Sequence, residues 1–301
     1  MDIIQKAAKK IAGAKPQQKP LSQQAYVDDR FKVKNAAVEH SVPRHAESFV
    51  SKKTDLPLRE LKKQGFLTPD SLTTKIADEY RTIKRPLINN IYGKSNKNVA
   101  NTNLIMVTSS VAGEGKTFTA INLAMSIAME QDKSVLLVDA DTVKGSATKA
   151  FNITEAQGLT TLLDNSEIAF SDVMLRTNIT NLTFLPAGKP HERSNELFAS
   201  EVMSDLLKEL SERYTDRVIV FDSPPLLQTT EAAVLASRVG QVVFVVAAES
   251  TLEGAISEAT QLLGEDKIVG CVLNKYQKKL GDASSYGYGY GYGASNDKNE
   301  K

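Results

Sequence analysis

The sequence predicts an α/β protein with a mainly parallel sheet flanked by helices. Three observations carry this. Six apolar runs of strand length recur through residues 71–276. Segments of helical period separate most of them, the alternation that wraps a parallel sheet in helices. Two of the runs end in acidic residues, which places carboxylates at the carboxyl edge of such a sheet, where open α/β folds bind ligands.

Taken in order, a helix at about 73–91 leads into the first strand, Leu104–Thr108, and a helix at about 119–131 follows. Strands are expected at Val135–Val138 and Leu182–Leu185, then a helix at about 196–213. The strand Val218–Phe221, a helix at about 230–237, the strand Val242–Val246, a helix at about 252–263 and the strand Ile268–Leu273 complete the body.

The flanks read differently. In residues 1–12, Ile3, Ile4, Ala7 and Ile11 recur at helical spacing, with Lys6, Lys9 and Lys10 toward the other side. This is a short amphipathic helix that needs a partner or a lipid surface to form. Residues 13–70 hold Pro16, Pro20, Pro43 and Pro57, many Gln and Lys, and no sustained hydrophobic period, and read as a basic flexible linker. Residues 277–301 form a tail whose core runs Ser284-Ser285-Tyr286-Gly287-Tyr288-Gly289-Tyr290-Gly291-Tyr292-Gly293. Gly at every second position opposes a packed element there.

Composition narrows the function classes. The 301 residues are 41% hydrophobic and 24% charged, ordinary for a globular protein. No apolar run approaches the roughly 20 residues of a membrane helix, and MDIIQKAAKK lacks the apolar core of a secretory signal. A cytoplasmic location is expected. The single cysteine, Cys271, excludes an internal disulfide or a thiolate metal cluster, and His40, His45 and His191 are too scattered for a zinc site. Net charge is +1, unevenly spread: residues 1–70 carry 14 Lys/Arg against 8 Asp/Glu, and the remainder 23 against 28. A basic arm therefore precedes a mildly acidic body. That body has no Trp and no interleaving of aromatic with basic residues, which argues against nucleic acid as a partner.

The strongest chemical signal is Leu104–Thr117. An apolar strand ends in a turn of small residues, and Gly115-Lys116-Thr117 opens a helix. This is the context a P-loop requires, so the fold is expected to be that of a P-loop NTPase binding ATP and Mg²⁺. Gly113 and Gly115 let backbone N–H groups approach phosphate oxygens. Lys116 would reach the β- and γ-phosphates and the Thr117 hydroxyl would ligate Mg²⁺. Glu114 and Phe118 complete the expected nucleotide-binding run. The strict pattern wants Gly where Ser110 stands. Two further segments belong to the same edge. Val135–Val138 ends in Asp139-Ala140-Asp141, and Val218–Phe221 ends in Asp222, followed by Ser223-Pro224-Pro225. Carboxylates there can hold Mg²⁺, usually through water.

Ser109-Ser110-x-x-Gly113-Glu114-Gly115-Lys116-Thr117, Val138-Asp139-Ala140-Asp141, Phe221-Asp222-Ser223-Pro224-Pro225 and a terminal tyrosine cluster together resemble the bacterial tyrosine kinases, over roughly residues 73–292. Within that family the likeness is to the tyrosine autokinases of exopolysaccharide export. The resemblance implies Walker A (Lys116, Thr117), Walker A′ (Asp139, Asp141) and Walker B (Asp222) motifs, of the deviant-Walker type shared with partitioning and cell-division ATPases. It implies catalytic roles for Lys116, Asp139 and Asp141, one of the two aspartates helping to deprotonate the incoming tyrosine. Thr117, Asp139 and Asp222 become the metal-binding set. Asn274 sits where related folds contact the nucleotide base. Leu185-Pro186-Ala187-Gly188 and Asn195-Glu196-Leu197 resemble the conserved middle region. Tyr286, Tyr288, Tyr290 and Tyr292 become phosphoacceptors, modified in trans around a ring.

Further implications concern partners: a homo-oligomer, a membrane-embedded chain-length regulator that activates the kinase at the inner face of the cytoplasmic membrane, a tyrosine phosphatase and other protein substrates. The family's oligomerisation helix carries Glu-x-x-Arg-x-x-Arg, where this chain has Asp78-x-x-Arg81-x-x-Lys84. Ala112 stands where many members have Pro, and Thr142-Val143-Lys144-Gly145 replaces Leu-Arg-Arg-Pro, leaving Lys144 to supply any basic contact. The competing reading is a partitioning-type ATPase switch without tyrosine transfer. Those proteins usually carry a signature Lys at the position of Val111, and the tyrosine tail has no place in them.

Overall fold

The structure is a computed structural model that describes residues 52–93, 99–154, 157–165, 167–213 and 217–277. The expected helix 1–12, most of the linker and the Tyr-Gly tail lie outside these residues. The elements run β1 (Lys53–Thr54), α1 (Leu58–Lys63), α2 (Lys75–Tyr92), β2 (Leu104–Ser109), α3 (Lys116–Ala128), β3 (Ser134–Asp139), α4 (Ser146–Ala150), α5 (Leu159–Asp164), α6 (Phe170–Val173), β4 (Leu175–Thr177), β5 (Leu182–Leu185), α7 (Ser194–Ala199), α8 (Glu201–Arg213), β6 (Arg217–Asp222), α9 (Thr230–Ala236), β7 (Gln241–Ala247), α10 (Glu253–Gln261) and β8 (Ile268–Asn274).

The strands form one sheet in the order β1-β4-β5-β3-β6-β2-β7-β8. From β5 to β8 every neighbouring pair is parallel, whereas β4 pairs antiparallel with β5 and β1 runs parallel to β4. The expectation of a mainly parallel sheet holds, and all six predicted strands are present within one residue of their predicted ends. Strands of a parallel sheet are covered on both faces, which is why they read as unbroken apolar runs.

The two-residue period of a strand then divides the core. Ile105, Val107, Val135, Leu137, Val218, Val220, Val243 and Val245 face α2 and α3, together with Ile121, Leu123 and Ile127 of α3. Leu104, Met106, Leu136, Val138, Ile219, Phe221, Val242 and Phe244 face the opposite layer, which includes Leu163 of α5, Phe198 of α7, Leu207 of α8 and Leu235 of α9.

Two expectations are corrected. Residues 52–70 are folded rather than linker. β1 pairs with β4, Leu56, Leu61 and Leu67 are buried, and the Leu67 N–H donates to Asn122 Oδ1 on α3 at 2.6 Å. Pro57 precedes α1 instead of marking loose chain. The single helix expected at 196–213 is two, α7 and α8, broken at Ser200. The Ser200 backbone is extended (ψ 162°), and its Oγ accepts the Met203 N–H at 3.2 Å, an N-cap that starts α8 afresh. Helix α3 begins at Lys116, as the reading of Gly115-Lys116-Thr117 has it, three residues ahead of the start given by the helical period alone. The extended span between β3 and β5 carries α4, α5, α6 and β4, none long enough to show a period.

Candidate active site

The carboxyl ends of β2, β3, β6 and β8 meet around the loop Ser109–Thr117. Gly113 and Gly115 adopt left-handed conformations (φ +87° and +99°) that disfavour any residue with a Cβ. Gly115 is doubly constrained, because a Cβ there would lie 1.9 Å from Asn274 Nδ2. The Ser110 hydroxyl, where the strict pattern has Gly, is buried and without a hydrogen-bond partner. Lys116 enters α3 as its first residue, and its ammonium lies 3.1 Å from Asp141 Oδ2 with both side chains nearly inaccessible.

The acidic residues converge as expected. Asp139 and Asp222 are register partners at the ends of neighbouring strands β3 and β6. Asp139 Oδ2 accepts the Thr148 N–H at 2.8 Å and its hydroxyl at 2.7 Å, while Oδ1 accepts the Asp141 N–H at 3.3 Å. Asp141 Oδ1 accepts the Lys144 N–H at 3.1 Å. Asp222 is fully buried, neither carboxylate oxygen has a hydrogen-bond partner of good geometry, and the neighbouring Thr117 hydroxyl favours its charged form. Burial pushes the Asp139 carboxyl up to about 6 despite its bonds from Thr148, and the charge of Asp141 adds to the rise. Burial lifts Asp222 well above the usual carboxylate range, the neighbouring Asp139 adds to this, and Lys116 opposes it.

A buried carboxylate with two unpartnered oxygens is costly. It fits a group that binds a cation. Among the described residues no set of three or more His, Cys, Asp and Glu side chains forms a metal-holding cluster. Mg²⁺ takes one or two carboxylates and completes its shell with water and substrate phosphate. The residues present therefore fit MgATP: a glycine loop opening a helix, a lysine, a helix-start threonine and an orphaned aspartate.

Other predicted residues fall elsewhere. The Phe118 ring packs on Phe66 (centroids 5.1 Å apart), so its side chain belongs to the core and only its backbone remains for phosphate. Asn274 donates one amide hydrogen to the Glu114 carbonyl at 2.9 Å. On α2, Arg81 pairs with Asp78 and donates to the Leu72 carbonyl at the surface. Lys84 departs from its expected oligomerisation role. It is 5% exposed, donates to the Ser126 carbonyl at 2.6 Å and pairs with Glu130 at 2.5 Å, which ties α2 to α3 within one chain. Tyr286, Tyr288, Tyr290 and Tyr292 lie outside the described residues.

The segment Leu185–Gly188 joins the site through Thr148, whose Oγ1 accepts the Ala187 N–H at 3.1 Å while its hydroxyl donates to Asp139. Gly158 faces it, since a Cβ there would lie 2.2 Å from the Pro186 carbonyl oxygen. Asn195, in contrast, bonds the Thr230 hydroxyl at the start of α9. Sequence reasoning missed Thr148, Thr251 and Lys275. Thr148 and Thr251 carry no local pattern. Lys275, directly after an apolar strand and Asn274, was open to detection.

A family profile described as an AAA domain matches residues 102–267. The tyrosine-protein kinase YwqD of Bacillus subtilis (strain 168) is 31% identical over 221 residues, which cover 73% of this chain and 87% of that protein. The putative tyrosine-protein kinase CapB of Staphylococcus aureus is 30% identical over 220 residues, 71% of this chain and 92% of its own. Among solved structures, the kinase domain of Escherichia coli tyrosine kinase ETK superposes with a TM-score of 0.61 at 25% identity, covering 80% of this chain and 96% of that one.

Proposed function

This chain belongs to the bacterial tyrosine-protein kinases, and from that premise we propose that it transfers the γ-phosphoryl group of MgATP to Tyr286, Tyr288, Tyr290 and Tyr292 of its own tail, in trans within an oligomer. The observation that carries the reading is the Lys116–Asp141 pair beside the orphaned Asp222 at the mouth of the glycine loop.

Phosphoryl transfer needs positioning and charge stabilisation more than covalent chemistry. The Lys116 ammonium neutralises charge on the transferred group. Once Lys116 turns to phosphate, the Asp141 carboxylate loses its ion-pair partner and is left to accept a hydrogen bond from an incoming hydroxyl. A tyrosine hydroxyl, with a pKa of about 10, needs such a base as it attacks. Asp139, held by Thr148, keeps the A′ segment in place. Asp222 and Thr117, with Asp139 alongside, would hold Mg²⁺, which would supply neutralisation of the phosphate charge. Asn274 has a second amide hydrogen and its oxygen left for the base.

The tail leaves beside this site, because Lys275 bonds the Gly113 carbonyl at 2.6 Å. From Tyr276 to Tyr286 the chain spans at most about 35 Å, enough to reach its own loop or a neighbour's. Asp78 and Arg81 remain at the surface of α2 as contacts for an oligomer. The proposed setting is control of exopolysaccharide polymerisation or export at the inner face of the cytoplasmic membrane. There a membrane-embedded chain-length regulator would activate the kinase, and a phosphatase would reset it. No helix among the described residues is long and apolar enough to cross a membrane.

The test is incubation of the purified full chain with ATP and Mg²⁺, then mass spectrometry of the tail, beside Lys116→Met and a tail-deleted chain. Phosphate on Tyr286–Tyr292 that is absent in Lys116→Met is the expected result. ATP hydrolysis without tyrosine phosphate, even after the regulator's cytoplasmic segment is added, would sink the proposal in favour of a partitioning-type ATPase.

A further inference from the structure

The phosphate loop is tied from outside at three points. The Gly113 carbonyl accepts from Lys275 Nζ at 2.6 Å, and the Glu114 carbonyl accepts from Asn274 Nδ2 at 2.9 Å. The third tie is the Glu114 side chain, which is 3% exposed. Its Oε2 accepts the Val111 N–H at 2.7 Å, across the loop, and its Oε1 accepts the Thr251 hydroxyl. The circuit closes behind it. Thr251 Oγ1 accepts the Ala247 N–H at 3.0 Å, and the Ala248 N–H donates to the Asn274 carbonyl at 2.8 Å. The loop, the β7–α10 turn and the end of β8 are thus one bonded unit.

The consequence follows from peptide geometry. In a trans peptide the C=O and the following N–H point in opposite directions. With the Gly113 and Glu114 carbonyls held toward β8, the N–H groups of Glu114 and Gly115 turn to the other side, free to meet an anion. Two non-glycine residues of the supporting segments, Glu249 and Lys275, both at φ +59°, adopt the left-handed conformation. Such strain persists only where surrounding bonds over-determine the backbone. A carboxylate buried inside an anion-binding loop opposes phosphate electrostatically, so charge attraction does not account for Glu114.

We infer that Glu114 is a positioning residue: its carboxylate, anchored on Thr251, holds the phosphate loop in its nucleotide-receiving shape and couples it to the Asn274–Lys275 end of β8. The inference rests on the reading of this loop as the ATP site. It differs from the expectation that Glu114 itself binds nucleotide.

The test uses the full chain with Thr251→Val, Thr251→Ser, Glu114→Ala, Glu114→Gln and the double variant Glu114→Ala/Thr251→Val. Two readouts are independent of phosphoryl transfer. One is the Kd for a fluorescent ATP analogue with Mg²⁺; the other is amide hydrogen exchange of residues 111–115 in nucleotide-free protein. Thr251→Val should weaken nucleotide binding about tenfold, the scale of one hydrogen bond to a charged group. It should also speed exchange in the loop well beyond any change in strands β3 and β5, a pattern general destabilisation does not give. Thr251→Ser should keep most of both, and Glu114→Gln only part, since an amide offers one accepting oxygen where the carboxylate offers two. The double variant should bind no more weakly than Glu114→Ala alone. Wild-type Kd and loop exchange in Thr251→Val, or a double variant weakened by the product of the two single effects, would overturn the inference. Wild-type protein that fails to bind the nucleotide would instead overturn the ATP-site reading, and the inference with it.

Discussion

Lys116 Nζ lies 3.1 Å from Asp141 Oδ2, and neither side chain is more than 8% exposed. The lysine that opens α3 therefore has a counter-ion inside the site, one that phosphate would replace under the proposed function. Removing one member of a buried pair leaves the other charge uncompensated, at a cost of about 3–5 kcal/mol. Asp141→Asn should accordingly lower the melting temperature of the free chain by about 10 °C. MgATP should recover more stability in the variant than in wild type, because phosphate then takes over the ammonium. Differential scanning calorimetry with and without MgATP checks this. Equal nucleotide-induced shifts in both proteins would contradict it.

The register pair Asp139 and Asp222 makes the free chain sensitive to pH. Asp139 is raised from 3.8 to about 6, so below neutrality the folded state holds a proton that the unfolded chain releases. The stability from this proton is fully present below about pH 4 and is lost as pH rises through about 6. Its size is roughly 3 kcal/mol. Asp222 shifts in the same direction and extends the effect to higher pH. Urea unfolding of the nucleotide-free chain between pH 4 and 7 should show this descending contribution in wild type and a shallower slope in Asp139→Asn. A variant with an unchanged slope would remove Asp139 as its source.

Gly115→Ala combines a left-handed backbone with a Cβ placed 1.9 Å from Asn274 Nδ2. The chain should still fold, since the loop lies at the sheet edge and the strands beneath it are unaffected. Nucleotide affinity should fall at least 100-fold, because loop and Asn274 must both move. Circular dichroism and nucleotide titration check the two halves. Wild-type affinity would show the loop to be more plastic than its bonds imply.

The chain from residue 52 should behave differently from a chain beginning at residue 71. Leu61 is fully buried, Leu56 and Leu67 are nearly so, and Phe66 packs on Phe118 directly after Thr117. Starting at residue 71 removes all four side chains and strands the Asn122 amide. Loss of one buried leucine costs about 2–5 kcal/mol. The 52–301 chain should melt within a few degrees of the full protein, and the 71–301 chain should unfold at much lower temperature or aggregate. Comparable melting of the two truncations would refute a structural role for residues 52–70.

The sequence by itself determined the elements whose cause is local. The strands β2, β3, β6 and β7 are legible because burial on both faces demands unbroken apolar runs. The phosphate loop is legible because its backbone conformations demand Gly113 and Gly115 immediately ahead of a helix-opening Lys116. Asp139, Asp141 and Asp222 could be assigned to one edge because strand ends in a parallel sheet share that edge. Only the tertiary structure decided what depends on distant partners. Lys84 reads as a surface charge on an amphipathic helix, yet Ser126 and Glu130 draw it into the α2–α3 interface. The strand Lys53–Thr54 has no pattern of its own and exists through its pairing with Arg176 and Thr177. Glu114 looks like one more loop residue until Thr251, far along the chain, supplies the hydroxyl that anchors it. Local periodicity is written in neighbouring residues, whereas a hydrogen bond across the fold is written in two places that share no pattern.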